Sequence, residues 1–597
     1  MSEASTINYA DREQVRLYLD SLRLGFEIIT DANGAMKKIR RPAHLVNRDI
    51  FNVVHTHLEA RGEIFAAPQP YYFDRIDHRL IRLLEGDANL AQLLRELGLL
   101  PTEPHTKLVS RALADIGNSA EHRTVHRLAF FGCDAIYIRA TETTMLKVTA
   151  TDITEVPLGT DDVILIADDL GDWPSLAELE PYLESLRPQM GTTCTQIRPD
   201  LPLAKLTTRW ADDCLLNAEQ QWQMAFTRAT FIFAASRYST WPILLLTGEG
   251  GSGKSTFFEL LLSLLVGEPT ILQSLPSQER SLVALLTKSS IAALDNVDGA
   301  GLDRPDRSSV NDLICQASTG AKISIARLFN DNVLDTYRLR LHTFFTCRVN
   351  PFDRDDVMRR TIELQMATPT EDGPDKDALV RAFLADRAPM LAELLLRLQN
   401  IVRAHDEHGA AEFHMVTKMK EYEKFTYVCS AFEERLSETK NLWASYMQRY
   451  RRSITETDPL VHAVRLWLGK GGNDGRQVSP TTLFTELQTI FADLEQVFTY
   501  KSPSAFGRNV AKHRTSLRTI GFSEVPTRGN QDYVFHPSAD ELALCKRLYT
   551  DLRSAILRRP VGAFSPRPSS SYLMPEPGPG DLDDIDSHAP SKREPLK

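Results

Sequence analysis

Apolar residues recur every three or four positions over residues 376–453, a spacing that places them on one face of a helix. Residues 175–240 show a similar helical pattern, which ends at Trp241-Pro242. Three continuous apolar runs lie between these segments and predict buried strands, at 242–247, 290–294 and 341–347. Strands that alternate with helical segments indicate a compact α/β domain over residues 241–375.

The first 165 residues mix strand and helix patterns, which predicts an α/β domain that precedes the others. A hairpin is expected over Phe26–Arg41, because Asn33-Gly34 is a strong turn sequence between two short strand patterns. Periodicity predicts four further elements, namely helices at Ile76–Glu85 and Leu90–Leu97 and strands at Ala135–Thr141 and Met145–Thr149.

Two features of this first region could contact nucleic acid, and we favour a plainer interpretation of each. The aromatic run Pro70–Phe73 could stack on bases, but an aromatic triplet that enters a helix more often packs in a core. The basic run Lys37–Arg41 lies on the predicted hairpin, where solvated surface is the simpler expectation.

Composition places the chain among ordinary globular proteins and narrows its partners. The net charge of −10 excludes a uniformly basic nucleic-acid coat, so any nucleic-acid binding must come from local basic patches. The seven cysteines are scattered without zinc-ligand spacing, so we expect neither zinc nor disulfides. The polar N-terminus is not a signal peptide and the longest apolar run is too short to span a membrane. We therefore expect a cytoplasmic protein with no membrane partner.

A glycine-rich segment follows the first buried strand and matches G-x-x-x-x-G-K-[ST] at every fixed position. Its glycines allow the backbone to fold around a polyphosphate, and a helix follows it whose N-terminus favours anions. We predict that Lys254 contacts the β- and γ-phosphates of ATP and that Ser255 binds Mg²⁺. The predicted nucleotide-binding residues are Gly248, Glu249, Gly250, Gly251, Ser252, Gly253, Lys254, Ser255 and Thr256.

The two later apolar runs end in polar residues that suit ATP hydrolysis. Asp295 follows Lys254 by 41 residues, enough for a helix, a strand and another helix, and is predicted to be the Walker B aspartate that helps to hold Mg²⁺. A polar residue at the end of the 341–347 strand would orient the attacking water. Thr346 and Asn350 are the candidates, and we prefer Asn350.

Arg359 and Arg360 stand directly before a further predicted strand. Such a pair can stabilise the charge that develops on a γ-phosphate during hydrolysis. A solvated basic pair is the alternative, and the sequence leaves the two interpretations about equal.

This ordered set of motifs resembles the AAA+ ATPases, and within them the superfamily 3 helicases and the phage-type primase-helicase ATPases. The likeness covers about residues 240–400 and includes Thr319–Asp331, which is similar to the segment before the sensor strand in ATPases of prophages and mobile elements. It implies that Arg359 or Arg360 is an arginine finger, that residues 376–453 include a lid, and that the enzyme works as a ring, for which a hexamer is expected.

One position departs from that family. Helicases of this kind carry an acidic residue directly after the Walker B aspartate, as the base that activates water, and this chain has Asn296 there. Asp298 or Glu249 could substitute as the base, or hydrolysis could be slow. Nucleotide binding does not depend on this residue.

Residues 479–538 show two helix patterns followed by two short strands, an order that resembles a winged helix. Between 501 and 530 there are six basic residues against one acidic residue, a net charge of +5. We favour DNA binding here over a protein-interaction surface, because a recognition helix needs cations for phosphates and polar groups for bases. The predicted DNA contacts are Arg508, Asn509, Lys512, His513, Arg514, Arg518 and Arg528.

These observations predict a multidomain α/β protein with an AAA+-like P-loop NTPase core. The predicted segments are an N-terminal α/β accessory domain at 1–165, a helical collar or linker at 166–240, the ATPase core at 241–375, a helical lid and connector at 376–453, a winged-helix-like domain at 454–545, and a proline-rich disordered tail at 563–597.

The sequence favours an ATP-dependent DNA helicase or translocase that serves replication of a phage or mobile element. Single-stranded or forked DNA would be its partner and ATP with Mg²⁺ its cofactors. A nucleotide-switch ATPase in defence or regulation is the first alternative, which Asn296 supports. A DNA-binding regulator whose ATP site only drives assembly is the second, and a P-loop kinase is more distant, because paired arginines and a winged helix have no role there.

Overall fold

The computed structural model describes residues 7–30, 36–67, 69–166, 171–213, 215–276, 278–297, 307–327, 330–352, 354–368, 375–457, 459–494, 496, 498, 500, 502–527 and 530–557. The chain forms two compact units, of which the first is Met1–Ser453 and the second begins at Ile454. The finer division into segments stays a prediction.

The N-terminal part of the first unit is a mixed α/β region. Its elements are α1 (Arg12–Arg23), β1 (Phe26–Thr30), β2 (Met36–Arg40), α2 (Ala43–Arg61), β3 (Gly62–Ala67), β4 (Gln69–Asp74), β5 (Arg79–Arg82), α3 (Ala88–Glu96), α4 (Pro104–Ser119), β6 (His126–Arg127), β7 (Ala129–Phe131), β8 (Ala135–Arg139), β9 (Thr144–Thr149), β10 (Ile153–Pro157) and β11 (Leu165–Ile166). The strands form a β3-β4-β5 sheet, a β10-β9-β8-β7 sheet and two two-stranded pairs.

Most of the sequence predictions for this region are confirmed, and one is wrong. β1 and β2 pair antiparallel as a hairpin, while its predicted turn at Asn33-Gly34 lies outside the described residues. β2 is exposed along its length, as expected for its basic residues. The predicted helix at Ile76–Glu85 is wrong, because this segment instead contributes β5, which pairs with β4. Helix α3 and strands β8 and β9 lie where periodicity placed them.

The aromatic run is buried, but in a strand rather than at a helix start. Tyr71, Tyr72 and Phe73 lie in β4 and are at most 5% exposed. Their rings therefore belong to the core of the N-terminal region, which confirms packing over base stacking.

Two helices lie between this region and the parallel sheet, α5 (Leu176–Met190) and α6 (Ala218–Ala234). The prediction of helix throughout 175–240 is wrong for residues 191–217, whose only regular element among the described residues is a short 3₁₀ turn at Pro202–Lys205. Glu433 explains part of this extended path, because its buried carboxylate accepts hydrogen bonds from the backbone N–H groups of Cys194, Thr195 and Gln196. Long-range contacts of this kind leave no local pattern in the sequence.

The centre of the first unit is a five-stranded parallel sheet. Its elements are β12 (Ile243–Thr247), α7 (Lys254–Val266), β13 (Gln273–Ser274), α8 (Glu279–Lys288), β14 (Ile291–Asp295), α9 (Arg307–Thr319), β15 (Lys322–Arg327), β16 (Asn330–Arg338), β17 (His342–Cys347), α10 (Asp355–Met358) and β18 (Thr361–Gln365). The strand order is β13-β14-β17-β12-β18, and β15 pairs with β16 as a separate antiparallel hairpin.

This order brings the ends of three strands together at one edge of the sheet. β17 lies between β14 and β12, so the ends of these strands are neighbours, and α7 begins after β12. Every residue of β12 and β17 is buried, which explains why both appear in the sequence as continuous apolar runs.

Strand β18 is the outer strand beside β12, and its free backbone groups are covered. The hydroxyl of Tyr446 donates to the carbonyl of Thr361 at 2.8 Å. The side-chain oxygen of Gln221 accepts from the N–H of Gln365 at 2.7 Å, and the carbonyl of Gln365 accepts from the N–H of Ala211 at 3.0 Å. This edge is therefore satisfied by side chains and by a short extended segment.

Four helices complete the first unit, α11 (Lys376–Ala385), α12 (Arg387–His408), α13 (Lys420–Phe432) and α14 (Leu436–Thr457). Helical periodicity over 376–453 is thus confirmed, with a break before α13. The ammonium of Lys376 on α11 lies 2.6 Å from the buried carboxylate of Glu259 on α7. This ion pair joins the predicted lid directly to the helix that follows the glycine-rich loop.

The second unit contains α15 (Pro459–Gly469), α16 (Pro480–Asp493), α17 (Pro503–Lys512), α18 (Arg514–Arg518), β19 (Phe522–Thr527), β20 (Asn530–Phe535) and α19 (Ala539–Leu557). The predicted order of helix, helix and hairpin is present, although the second predicted helix is divided at His513. Its core includes the buried side chains of Trp467, Leu487, Phe506 and Phe535.

Candidate nucleotide-binding site

The glycine-rich loop has a backbone that only glycine adopts easily at three of its positions, of which Gly251 has φ of 77°. Gly248 has φ of 146°, and a Cβ there would lie 2.9 Å from the carbonyl oxygen of Met366. Gly253 has φ of 91° and is the N-cap of α7. The first N–H groups of a helix lack acceptors within the helix, so the loop and α7 form a concave backbone surface suited to an anion.

Lys254 is 7% exposed, and its ammonium turns back over the loop. It donates to the carbonyl oxygens of Gly248 and Glu249, each at 2.8 Å, and lies 3.2 Å from the hydroxyl of Ser252. A polyphosphate in the loop would compete with these oxygens for the same protons. The lysine is thus already directed at the position that the predicted role requires.

Three side chains converge where the second Walker motif was predicted. The hydroxyl of Ser255 donates to the carboxylate of Asp295 at 2.6 Å, and the hydroxyl of Thr346 donates to the same carboxylate oxygen. Thr346 is fully buried, and its oxygen also accepts from the N–H of Asn296 at 3.0 Å. A hydroxyl beside a carboxylate at the start of a phosphate-binding helix is a donor set that fits Mg²⁺, which prefers oxygen ligands.

Asn296 has a left-handed backbone conformation, with φ of 49°. Asn tolerates this region better than other residues that carry a Cβ. The side chain is exposed, and its amide lies 3.4 Å from the carboxylate of Asp295. This geometry gives a physical reason for Asn directly after the Asp295 position.

Of the two substitute bases, only Glu249 can be located. Its carboxylate is 62% exposed and lies 3.3 Å from the guanidinium of Arg348, directly after β17. Asp298 lies outside the described residues. Either role stays a prediction.

The two candidates at the end of β17 lie in different surroundings. Thr346 contacts Asp295, whereas the amide of Asn350 donates to the carboxylate of Glu363 on β18 at 2.7 Å. The burial of Glu363 raises the pKa of its carboxyl group, and the bond from Asn350 opposes that shift. Asn350 is therefore held toward the opposite side of β12 from Asp295.

Arg359 and Arg360 lie at the amino end of β18, away from the glycine-rich loop of the same chain. The carbonyl of Arg360 accepts from the N–H of Ile243, the first residue of β12, while the loop follows Thr247 at the other end of that strand. Five residues of strand span about 16 Å. The guanidinium of Arg360 donates to the carbonyl of Asp356.

One segment beside the loop was missed by sequence reasoning. The backbone of Trp210 forms an isolated antiparallel β-bridge with Met366, directly after β18. Its ring packs edge-on against that of Phe257 on α7, with 5.4 Å between the ring centroids. Thr208, two residues earlier, lies 3.5 Å from the position that a Cβ on Gly253 would occupy. The tryptophan was visible in the sequence, but its place beside the loop depends on a pairing across more than 150 residues.

The predicted DNA contacts in the second unit have unequal access to a ligand. Arg508 and Arg518 are exposed. Arg514 pairs with Glu524 at 2.8 Å, and the amide of Asn509 donates to the carbonyl of Ala505 in its own helix. His513 is partly buried between α17 and α18. Arg528 and the side chain of Lys512 lie outside the described part of the chain.

Residues 215–454 match the family of actinomycete integrative conjugative element replication proteins. The matched range contains the glycine-rich loop, the Asp295 cluster, the arginine pair and the helices α11–α13, and it covers less than half of the chain. This part of the protein is therefore similar to replication proteins of a class of mobile element.

Three solved structures are similar to the chain at low identity. The C-terminal region of NrS-1 in its apo form shares 11% identity, with 81% of this chain and 98% of that chain covered and a TM-score of 0.33. The SCCmec type IV Cch active helicase shares 12%, with coverage of 87% and 99% and a TM-score of 0.38. The Orc1 protein of Aeropyrum pernix in complex with DNA shares 13%, with coverage of 60% and 98% and a TM-score of 0.20.

A search of curated proteins found no significant match to this sequence. Among the described helices, none is both long enough and apolar enough to cross a membrane.

Proposed function

We propose that this chain is an ATP-dependent DNA helicase or translocase that serves replication of a phage or mobile element. The observation that carries the proposal is the cluster of Lys254, Ser255, Asp295 and Thr346 around one concave loop. The cluster lies within the range that is similar to replication proteins of integrative conjugative elements.

In this proposal the loop and the start of α7 bind the phosphates of ATP, and Lys254 exchanges its contacts with loop oxygens for contacts with phosphate oxygens. Ser255 and Asp295 would hold Mg²⁺, which neutralises charge on the phosphates. Thr346 fixes the orientation of Asp295 through its hydroxyl. Asn350 or Glu249 would act on the attacking water.

The position of the arginine pair supports a ring. Because Arg359 and Arg360 lie at the far end of the sheet from their own loop, they would act on ATP bound to a neighbouring subunit. Such head-to-tail contacts close into a ring, for which we propose a hexamer. In the second unit, the exposed Arg508 and Arg518 are the proposed contacts to DNA phosphates.

The decisive experiment measures ATP hydrolysis by the purified full-length protein with and without single-stranded or forked DNA. We expect DNA to stimulate turnover, Lys254→Ala to abolish it, and the matched surface variant Lys107→Ala to leave it unchanged. Turnover that does not respond to either DNA would exclude the motor.

A nucleotide-switch ATPase is the second candidate, and the observation that favours it is Asn296 in place of the usual acidic residue. A switch predicts ATP-dependent assembly with slow turnover that DNA does not change. Sizing the protein by light scattering with ATP, with ADP and with neither distinguishes this outcome in the same preparation.

A further inference from the structure

A cavity in the first unit lies at the amino end of the parallel sheet, at the opposite end from the glycine-rich loop. Its volume is about 510 Å³, within the range of small-molecule sites. We call it the amino-end pocket, and its polar lining includes Arg127, His126, Trp241, Lys322, Arg340 and His342. None of these residues has a role in the function proposed above.

The amino-end pocket is strongly basic in an acidic protein. Four cationic side chains line it, namely Arg123, Arg127, Lys322 and Arg340, and the described residues of its lining include no carboxylate. Arg123 forms ion pairs with Glu63 and Asp162, which balance its charge. Arg127 instead donates to the neutral carbonyl of Thr287 at 2.5 Å, and Lys322 is exposed without an ion pair in the described part of the chain.

Buried groups behind the lining add to this positive field. Arg228 is fully buried, and both of its terminal nitrogens lack a hydrogen-bond partner among the described residues. Burial lowers the pKa of Arg228 to about 10. Both Arg228 and Arg340 lower the pKa of His342, which burial already holds well below its usual range. An anion in the amino-end pocket would relieve this accumulation of buried charge.

The lining also offers an unpaired hydrogen-bond acceptor beside the cationic groups. His342 is 3% exposed and bonds to the backbone of Ile232, while its Nδ1 has no partner in the described structure. In a neutral imidazole that donates through one nitrogen, the other nitrogen is an acceptor. It therefore suits a hydroxyl or amino donor of the kind that a nucleoside carries.

We propose that the amino-end pocket binds a nucleoside phosphate, with Arg127, Lys322 and Arg340 holding the phosphate group. A free nucleotide and one unit of a DNA strand share this chemistry. Trp241 already stacks on His342 at 4.4 Å and contacts Arg340, so recognition depends on charge rather than on base stacking. Only the DNA source depends on the helicase function proposed above.

The test uses the full-length protein and two probes, thymidine monophosphate by calorimetry and a fluorescein-labelled 15-nucleotide oligothymidylate by anisotropy. The double variant Arg127→Gln/Lys322→Gln is compared with the control Lys107→Gln/Lys418→Gln, which removes two charges from exposed sites elsewhere. We expect the first variant to weaken binding of at least one probe by about tenfold or more, as for the loss of charge-assisted hydrogen bonds.

Each outcome decides the proposal. Weaker monophosphate binding identifies a free nucleotide as the ligand, and weakening of the oligonucleotide alone identifies DNA. For DNA, the dependence of log K on log salt should also become shallower by about 0.7, since the two side chains hold one phosphate and each phosphate contact to a single strand contributes about 0.7. If the wild type binds neither probe, or the variant binds both as tightly as the control, the proposal is wrong.

Two further comparisons separate a loss of binding from a folding defect and from failure of the helicase proposal. Lys322→Glu alters one exposed side chain, so its effect on binding does not depend on refolding of a buried site, and it should weaken the same probe. The two proposals can also fail separately. If the variants weaken monophosphate binding but DNA does not change ATP turnover, the proposal for the pocket stands and the helicase proposal is wrong.

Discussion

At the scale of single residues, the site is shaped by backbone conformation as much as by side-chain chemistry. Asn296 follows Asp295 with φ of 49°, and its N–H is held by the hydroxyl of Thr346. A residue with a branched Cβ is strained in this conformation. The left-handed backbone directly after β14 therefore explains Asn at this position, whatever the effect of this residue on the rate of hydrolysis.

This explanation predicts the stability of two variants. Asn296→Val should lower the free energy of unfolding by about 1–2 kcal/mol, the cost of left-handed backbone for such a residue, whereas Asn296→Gly should change it by only a few tenths. Urea unfolding followed by circular dichroism measures both. Equal losses in the two variants would show that the Asn side chain, and not its backbone, is what matters.

A half-buried histidine in α12, His405, gives the unit a pH-dependent stability. Burial lowers the pKa of His405 to about 4, helped by the charges of Arg237 and Lys424, and its ring contacts Tyr238. The unfolded chain binds the proton more readily than the fold does, so this contribution is complete above about pH 6.5 and is lost as the pH falls toward 4.

We expect up to about 3 kcal/mol of unfolding free energy to be lost between pH 6.5 and 4 through this residue. The variant His405→Gln keeps a polar group beside Tyr238 but cannot take up the proton, so its stability should decline less over the same range. Urea midpoints at half-unit pH steps provide the measurement. Parallel curves for the two proteins would assign the acid sensitivity to other groups.

At the scale of elements, strand β17 connects both ends of the sheet. Its first residue, His342, lines the amino-end pocket, and Thr346 near its other end contacts Asp295. All six residues of the strand are buried, so its position is fixed by packing on both faces. The hydroxyl of Thr346 on this buried strand thus orients the Asp295 carboxylate together with the hydroxyl of Ser255.

Thr346→Val retains the shape of the side chain and removes that hydroxyl. We expect ATP turnover to fall about tenfold or more, because Asp295 and the N–H of Asn296 both lose a buried partner, and stability to fall by about 1–3 kcal/mol. Thr346→Ser keeps the hydroxyl and should retain most of the activity. Steady-state kcat and KM for ATP are measured for both variants. Similar turnover in Thr346→Val and Thr346→Ser would show that the hydroxyl of Thr346 has no role in the reaction.

The sequence predicted those elements whose cause is local. The strands β12, β14 and β17 were visible as apolar runs, and the glycine-rich loop was visible as a motif. What it did not reveal depends on contacts between distant residues. Residues 191–217 are extended partly because Glu433 binds their backbone, and Thr208 reaches the loop through pairing with the end of β18. The amino-end pocket likewise forms only when residues between 67 and 342 meet.

At the scale of the whole molecule, the arginine pair makes a prediction about cooperation between copies. Lys254→Ala subunits lack a working loop, and Arg359→Ala/Arg360→Ala subunits lack the predicted finger. In a ring, each site combines the loop of one subunit with the arginines of its neighbour. A site is therefore complete where a subunit of the arginine variant supplies the loop and a Lys254→Ala subunit supplies the arginines. An equal mixture of two inactive variants should therefore recover about one quarter of wild-type turnover, the share of intact interfaces.

The measurement is ATP turnover across mixing ratios, with native mass spectrometry to show that mixed assemblies form. Each variant alone is the control. Mixed assemblies without recovered activity would remove the arginines from the neighbouring site. Full activity in the arginine variant alone would mean that the pair is solvated surface.

The covered edge of β18 restricts how such copies can associate. An outer strand with free N–H and carbonyl groups is a template onto which a second chain can add its own strand, a common route to aggregation. Here Tyr446 of α14, Gln221 of α6 and the segment at Ala211 occupy those groups. While this cover is in place, copies cannot associate by adding a strand to β18. Displacement of α14 would expose the backbone groups of β18. This helix therefore protects the chain from aggregation by strand addition.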